Sequence, residues 1–243
     1  MQTFLLPVGP ASLPVTLVPS TRRKTIALRI TREQRVDVLV PAGTSFEEIL
    51  PFLLEKTPWL RRKLAELAAR PSPAPRLYAS GDSFLYLGHP RRLCVMPQAI
   101  RRTRVCLDDD RLLVAVPRGS DGPELADAVR HALEVWYKQE AHTLLAAQAA
   151  LYAPLLGVRP RRLALKRQQT RWGSCSTATG SINLNWLLVM APLSVIDYVL
   201  VHELAHLLVP NHSNRFWKTV ESILPAYREH RRWLKKNGHL LSL

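Results

Sequence analysis

The stretch VHELAHLLVPNHSNRFW, from Val201 to Trp217, carries three histidines within eleven residues. The residues that lead into it from Leu193 are apolar on most sides, which predicts a buried helix across residues 193–206. Two of the histidines and Glu203 lie on this helix. Because burying such polar groups without partners costs several kcal/mol, on the order of a typical protein's whole stability, they need a partner inside the fold.

The spacing of His202 and His206 predicts a metal site. Residues four apart on a helix lie about 40° apart around its axis and about 6 Å apart along it, so both imidazoles can bind one ion. Glu203 is rotated by about 100° from His202 and can reach a water on that ion. This is the H-E-x-x-H arrangement of zinc hydrolases, so we expect zinc as the cofactor and Glu203 as the catalytic base.

A catalytic zinc usually has a third protein ligand. His212 follows six residues after His206, and it can return to the ion if the chain turns at the pair Pro210–Asn211. A proline disfavours helix in the residue before it, and asparagine tolerates a left-handed backbone. The alternative ligand is Glu221, on the following helix. We favour His212, and the sequence leaves Glu221 open.

Hydrophobic periodicity predicts a chain that mixes strands and helices. The predicted strands are residues 25–30, 36–40, 162–166, 170–174 and 181–187. The predicted helices are residues 45–69, with a break or kink at Pro58, residues 123–151 and 193–206, and a helix pair across 213–236. The first two strands are expected to form a small antiparallel sheet.

One pattern occurs twice. RVDVLVPAGT begins at Arg35 and RLLVAVPRGS at Arg111, and each predicts a strand, a Pro-x-Gly turn and a helix that carries Trp59 or Trp136. This indicates two copies of a strand–turn–helix unit, although any strand that enters a helix produces a similar pattern. The Pro-rich segment RPSPAPR at residues 70–76 is a predicted linker, which divides the chain into residues 1–75 and 76–243.

The net charge of +15 and the pI near 10.5 favour anionic partners. Residues 141–196 contain no Asp or Glu. The basic residues in that stretch are Arg159, Arg161, Arg162, Lys166, Arg167 and Arg171. They form either a solvated strand face or a surface for an anionic substrate or nucleic acid.

The remaining composition predicts a cytoplasmic protein that does not enter a membrane. Three widely spaced cysteines do not form a disulfide framework, so reduced thiols are expected. The N-terminus lacks the basic segment of a signal peptide, and no run of about 18 apolar residues occurs.

Several motifs closely resemble the YgjP-like, SprT-related metal-dependent hydrolases, a family of zincin-like metallopeptidases. They are RWGSC at 171–175, INLNW at 182–186, IDYVLVHELAH at 196–206 and NHSNRFW at 211–217. A looser resemblance extends over RRKTIALRI, FLYLGHPRRL and the spacing around Trp136. The resemblance implies zinc on His202, His206 and His212, with Glu203 as the base.

The fold implied by the resemblance is α+β. Residues 76–243 are expected to form a zincin-like catalytic domain with an H-E-x-x-H helix and a small antiparallel sheet, and residues 1–75 a β-rich N-terminal region with a helix. In zincins an extended peptide pairs with an edge strand above the metal helix, and SINLNWLL or RWGSC is the candidate for that strand.

The leading expectation is therefore a zinc-dependent metallopeptidase, an endopeptidase acting on peptides or proteins, in which Glu203 activates a zinc-bound water. Two alternatives stay open: a metal-dependent hydrolase of nucleotide phosphoanhydrides, and a nucleic-acid-associated metalloprotein.

Five further residues are candidates for supporting roles. Arg171, Tyr198 and Arg215 can stabilise an oxyanion. Asp197 is either the partner of a zinc-bound imidazole or an ordinary acid of an early helical turn. Cys175 is either a neighbour of the metal or a buried structural thiol.

Overall fold

The structure, a computed structural model, describes residues 2–8, 11–31, 35–68, 76–168 and 170–243. The chain divides into two units, Met1–Pro73 and Ala74–Leu243. Each combines β-sheet with α-helix, so the predicted α+β class is confirmed. Of the predicted linker, only Arg76 belongs to the described residues.

The first unit is a four-stranded sheet followed by a helix. Its elements are β1 (Gln2–Val8), β2 (Ala11–Ser20), β3 (Ala27–Ile30), β4 (Val36–Pro41) and α1 (Phe46–Ala68). Alternating Val36, Val38 and Val40 are buried in one core with Ile49 and Leu53 of α1.

The sheet of the first unit differs from the prediction in two ways. The two predicted strands, β3 and β4, pair antiparallel as expected, but the sheet order is β1-β2-β4-β3 and β2 runs parallel to β4, so the sheet as a whole is mixed. The strands β1 and β2 were not predicted, because prolines interrupt their alternation and proline disfavours strands. The helix α1 continues through Pro51 and Pro58 without the predicted break.

The second unit begins with the same arrangement. Its elements are β5 (Ser83–Tyr86), β6 (His89–Gln98), β7 (Arg104–Asp108), β8 (Arg111–Pro117) and α2 (Gly122–Leu155). The sheet order β5-β6-β8-β7 and the strand directions match those of the first sheet. This confirms the internal repeat and extends it from a strand–turn–helix unit to four strands and a helix.

A third, three-stranded sheet follows in the second unit. It contains β9 (Arg162–Lys166), β10 (Gly173–Ser176) and β11 (Ser181–Asn185) in the order β10-β11-β9. The hairpin of β10 and β11 is antiparallel, but β11 is parallel to β9. The expected antiparallel sheet is therefore mixed, because β11 pairs with its hairpin partner on one side and with β9 on the other.

The third sheet leads into a 3-10 helix and three α-helices, of which the first is the most buried. After a 3-10 helix (Trp186–Met190) come α3 (Leu193–Ala205), α4 (Asn214–Ile223) and α5 (Tyr227–Asn237). The helix α3 is buried on nearly every side and packs against α2, α4, α5 and β10. Within the described part of the chain, no helix combines the length and apolarity needed to cross a membrane.

The Asn185 side chain forms hydrogen bonds with the segment that precedes β10 and with the segment that follows β11. Its side-chain oxygen accepts a hydrogen bond from the Leu187 N–H, which starts the 3-10 helix where a longer strand was predicted. Its Nδ2 donates to the carbonyl oxygens of Gln168 at 2.8 Å and Arg171 at 3.4 Å. The fully buried Asn185 therefore positions the loop that leads into β10.

Replacing Asn185 with Ala should lower the free energy of unfolding by about 2–4 kcal/mol, because the carbonyl oxygens of Gln168 and Arg171 lose a partner. Asn183→Ala is the matched control, since that side chain makes one 3.4 Å hydrogen bond to the Ser174 hydroxyl. Urea unfolding followed by circular dichroism measures both changes. Equal losses in the two variants would contradict the anchoring role of Asn185.

Candidate metal centre

Three histidines meet at the end of α3. Ring nitrogens of His202, His206 and His212 all lie within 4.8 Å of one another. The Nε2 atoms of His202 and His212 are 3.1 Å apart. The Nδ1 atom of His206 lies 3.2 Å from the carbonyl oxygen of Val209, and because a carbonyl only accepts, this nitrogen carries the proton. The Nε2 atom of His206 is therefore the one with a free lone pair.

The turn that returns His212 lies where the sequence predicts it but forms differently. The helix ends in a tight turn, in which the N–H groups of Leu208 and Val209 both donate to the Ala205 carbonyl. Asn211 is not among the described residues with a left-handed backbone. Instead its side-chain oxygen accepts a hydrogen bond from the Ser213 N–H at 3.3 Å, which leads the chain into α4.

All three imidazoles pack on Phe216, a fully buried residue of the first turn of α4. The centroid of its ring lies 4.9 Å from that of His202, 4.5 Å from that of His206 and 4.8 Å from that of His212. This role of Phe216 was not predicted from the sequence. The available signal was that Phe216 follows His212 by four residues, one turn into the predicted helix.

Glu203 is 6% exposed and lies against β10. A Cβ atom on Gly173 would come within 2.6 Å of its Cγ and Oε1 atoms, so only glycine leaves room for this side chain. Burial raises the pKa of Glu203 to about 7, and the positive charge of Arg171 opposes that rise. A carboxyl group that titrates near neutral pH can both accept and return a proton.

The electrostatics keep two of the histidine rings neutral. Burial, together with the charges of His206, His212 and Arg231, lowers the pKa of His202 to about 3. Burial also lowers the pKa of His206, against the effect of its hydrogen bond to Val209. Metal binding requires the neutral form of an imidazole, which is the form that these rings adopt.

The three histidines fit a divalent transition metal. A tetrahedral ion with bonds of about 2.0–2.1 Å to nitrogen separates its ligand atoms by about 3.3 Å. The His202 and His212 nitrogens are 3.1 Å apart here, and no pair of ligand atoms is more than 4.8 Å apart. Neutral imidazoles suit zinc, copper, iron and nickel, so the donor set is consistent with zinc without excluding the others.

The alternative ligand Glu221 lies outside this group. Its carboxylate pairs with Arg228 at 3.5 Å, and among the described residues it does not join the three histidines. Cys175 is half-buried and is also outside the group. Burial, followed by the charge of Glu203, raises the pKa of its thiol, which keeps it protonated.

Asp197 is not the hydrogen-bond partner of any of the three histidines. Its Oδ2 atom accepts a hydrogen bond from the Tyr152 hydroxyl at 3.0 Å, and its pKa is raised by burial. The Nδ1 atom of His202 is buried with no hydrogen-bond partner among the described residues. The ring of Tyr198 lies edge-on to His202, with centroids 5.9 Å apart, and burial raises the pKa of Tyr198 to about 12.

Aromatic and cationic side chains form one wall of the centre. The ring of Trp217 lies 5.8 Å from that of His202 and 5.6 Å from that of His212. The guanidinium of Arg231 sits 4.9 Å above the Trp217 ring. Arg231 could not be recognised from the sequence, because it lies in a run of basic helix residues that resembles a solvated face. Of the predicted oxyanion candidates, Arg171 exerts its charge on Glu203, while Arg215 is exposed on α4.

A buried helix that bears His202 and Glu203 and ends at His206, with His212 beside them, is an arrangement typical of metallopeptidases. The chain belongs to the YgjP-like family: the family model for the YgjP-like metallopeptidase domain matches residues 24–237. Membership in a metallopeptidase family indicates a hydrolase that uses a divalent metal, for which the three histidines are the candidate site.

A comparison with solved structures found matches that include a metallopeptidase zymogen. The crystal structure of the metallopeptidase zymogen of Pyrococcus abyssi abylysin is 25% identical, with a TM-score of 0.34. The similarity covers 40% of this chain and 93% of that one. A search of curated proteins found no match.

The contact between Gly173 and Glu203 predicts a specific coupling. Gly173→Ala should lower the free energy of unfolding by about 1–3 kcal/mol, because the added Cβ overlaps the Glu203 carboxylate. In a Glu203→Ala background the same substitution should cost much less. Urea unfolding of the four proteins of this double-mutant cycle measures the coupling. An equal cost of Gly173→Ala in both backgrounds would contradict the contact.

Proposed function

We propose that the protein is a zinc-dependent endopeptidase with its active site in the predicted catalytic domain, residues 76–243. The observation that carries the proposal is the convergence of three imidazole nitrogens beside the buried Glu203. His202, His206 and His212 would hold the ion. When bound, zinc supplies a Lewis acid that polarises the scissile carbonyl and lowers the pKa of the attacking water.

Glu203 is the catalytic base in this proposal. It accepts a proton from the attacking water and returns it to the leaving amine. Gly173 leaves the space in which the carboxylate stands against β10. The charge of Arg171 favours the ionised form of Glu203, which is the form that accepts the proton.

The position of β10 supports a peptide substrate. Among the described strands β10 pairs with β11 alone, so its second edge has no strand partner. It packs against α3 and carries Gly173 beside Glu203. An extended peptide that adds to this edge would bring a backbone carbonyl towards the histidines. Of the two predicted edge strands, RWGSC contributes β10, whereas SINLNWLL contributes the central strand β11.

The alternative of phosphoanhydride hydrolysis has less support. Five of the six cations that suggested it lie on β9 or next to it, at the opposite edge of the sheet from β10. They are Arg159, Arg161, Arg162, Lys166 and Arg167, and all are exposed. Of the six, only Arg171 exerts its charge on Glu203. These five cations instead support a separate proposal, in which the exposed surface around β9 binds an anionic partner such as nucleic acid. The affinity for such a partner should fall steeply as the salt concentration rises.

We also propose a cytoplasmic location, where the three free thiols stay reduced.

The purified protein should contain about one zinc per chain and cleave denatured protein. Glu203→Gln should keep the zinc and lower turnover by at least about 100-fold, because the amide cannot accept a proton. His202→Ala is the control that should lose the metal. Elemental analysis of protein never exposed to chelator, combined with peptide-release assays, measures both properties.

Two outcomes would contradict the proposal. Loss of zinc from Glu203→Gln to the same extent as from His202→Ala would mean that Glu203 is a ligand rather than the base. Hydrolysis of nucleoside triphosphates without any cleavage of denatured protein would favour the phosphoanhydride alternative.

A further inference from the structure

Arg231 of α5 is an exposed cation next to the metal centre. Its guanidinium lies over the face of Trp217, 4.9 Å from the ring centroid. The same indole contacts the rings of His202 and His212. A single side chain, Trp217, therefore contacts both Arg231 and two of the three candidate ligands.

The platform under Arg231 is rigid. Trp217 stacks on Tyr227 with ring centroids 5.3 Å apart and planes inclined by 14°, and Tyr227 itself is buried. A guanidinium on an aromatic face is held flat by cation–π attraction while its N–H groups point outward. Arg231 therefore presents an ordered fork of donors at the edge of the centre.

No carboxylate of the described residues forms an ion pair with Arg231. Arg228, one turn earlier on α5, differs in this respect: its guanidinium lies over Tyr227 at 5.3 Å and pairs with Glu221 at 3.5 Å. Acidic residues are scarce in this part of the chain, since residues 141–243 contain thirteen Lys and Arg but four Asp and Glu. The fork of Arg231 is thus open to a ligand from outside.

We propose that Arg231 binds a carboxylate of the peptide substrate and so makes the enzyme select peptides that carry one near the scissile bond. The guanidinium fork matches the two oxygens of a carboxylate, which makes this pair stronger than one with a neutral amide. The carboxylate can belong to an acidic side chain or to the end of the peptide. This inference rests on the proposed peptidase function and specifies its substrate class.

The experiment uses alanine-rich octapeptides that contain one Glu or one Gln at a central position, each with a free or an amidated C-terminus. Binding is measured with the Glu203→Gln variant, so that it does not depend on turnover. A peptide with the recognised carboxylate should bind about five- to tenfold more tightly than its neutral counterpart. Arg231→Gln in the same background should abolish the difference, while the matched control Arg228→Gln should leave it unchanged.

Comparing the four peptides shows which carboxylate Arg231 binds. A preference for Glu over Gln assigns the site to an acidic side chain, and a preference for the free over the amidated terminus assigns it to the peptide end. Equal affinity for all four peptides, or a preference that survives Arg231→Gln, would overturn the inference.

Cleavage by the parent enzyme separates this inference from the proposed function. If the enzyme cleaves these peptides, the peptide with the recognised carboxylate should have a lower KM than its neutral counterpart and a similar kcat. Cleavage of all four peptides with equal KM would overturn the role of Arg231 and leave the peptidase proposal standing. A carboxylate preference in binding, without cleavage of any peptide or of denatured protein, would support Arg231 as an anion site and contradict the peptidase proposal.

Discussion

The packing of three imidazoles on Phe216 is the contact on which the candidate centre depends. His202 and His206 belong to α3 and its end, whereas His212 lies in the loop that follows. The buried phenyl ring lies within 4.9 Å of each imidazole, centroid to centroid, so burying Phe216 also fixes His212 beside the other two. Hydrophobic burial thus brings together polar groups from separate segments of the chain.

Close packing also determines the position of Glu203, the proposed catalytic base. Glu203 is buried between α3 and β10, and the absence of a side chain at Gly173 is what admits it. Asn185 holds the loop before β10, and that loop carries Arg171, whose charge favours the carboxylate. The four-strand and helix arrangement occurs in both units, but only its second copy is followed by the third sheet and by α3. The repeat is therefore a scaffold, and the candidate chemistry lies in the segments added to its second copy.

The sequence predicts contacts between residues close together in the chain better than contacts between distant segments. Helical spacing is local, so the convergence of His202 and His206 and the limits of α3 could be predicted from the sequence. The arrangement of strands is not local: the parallel pairing of β9 with β11 follows from which strand occupies the centre of the sheet, and no alternation pattern encodes it. Arg231 was missed for the same reason, because its position over Trp217 depends on how α5 packs against the preceding helix.

The central claim is that His202, His206 and His212 together hold one divalent metal ion beside Glu203. Anomalous X-ray diffraction from crystals grown with zinc, recorded on both sides of the zinc absorption edge, tests it most directly. The account predicts one strong anomalous peak per chain, bonded to a ring nitrogen of each of the three histidines at about 2.0–2.1 Å. A zinc ion held by Glu221 in place of His212, or no anomalous peak at these histidines, would contradict it.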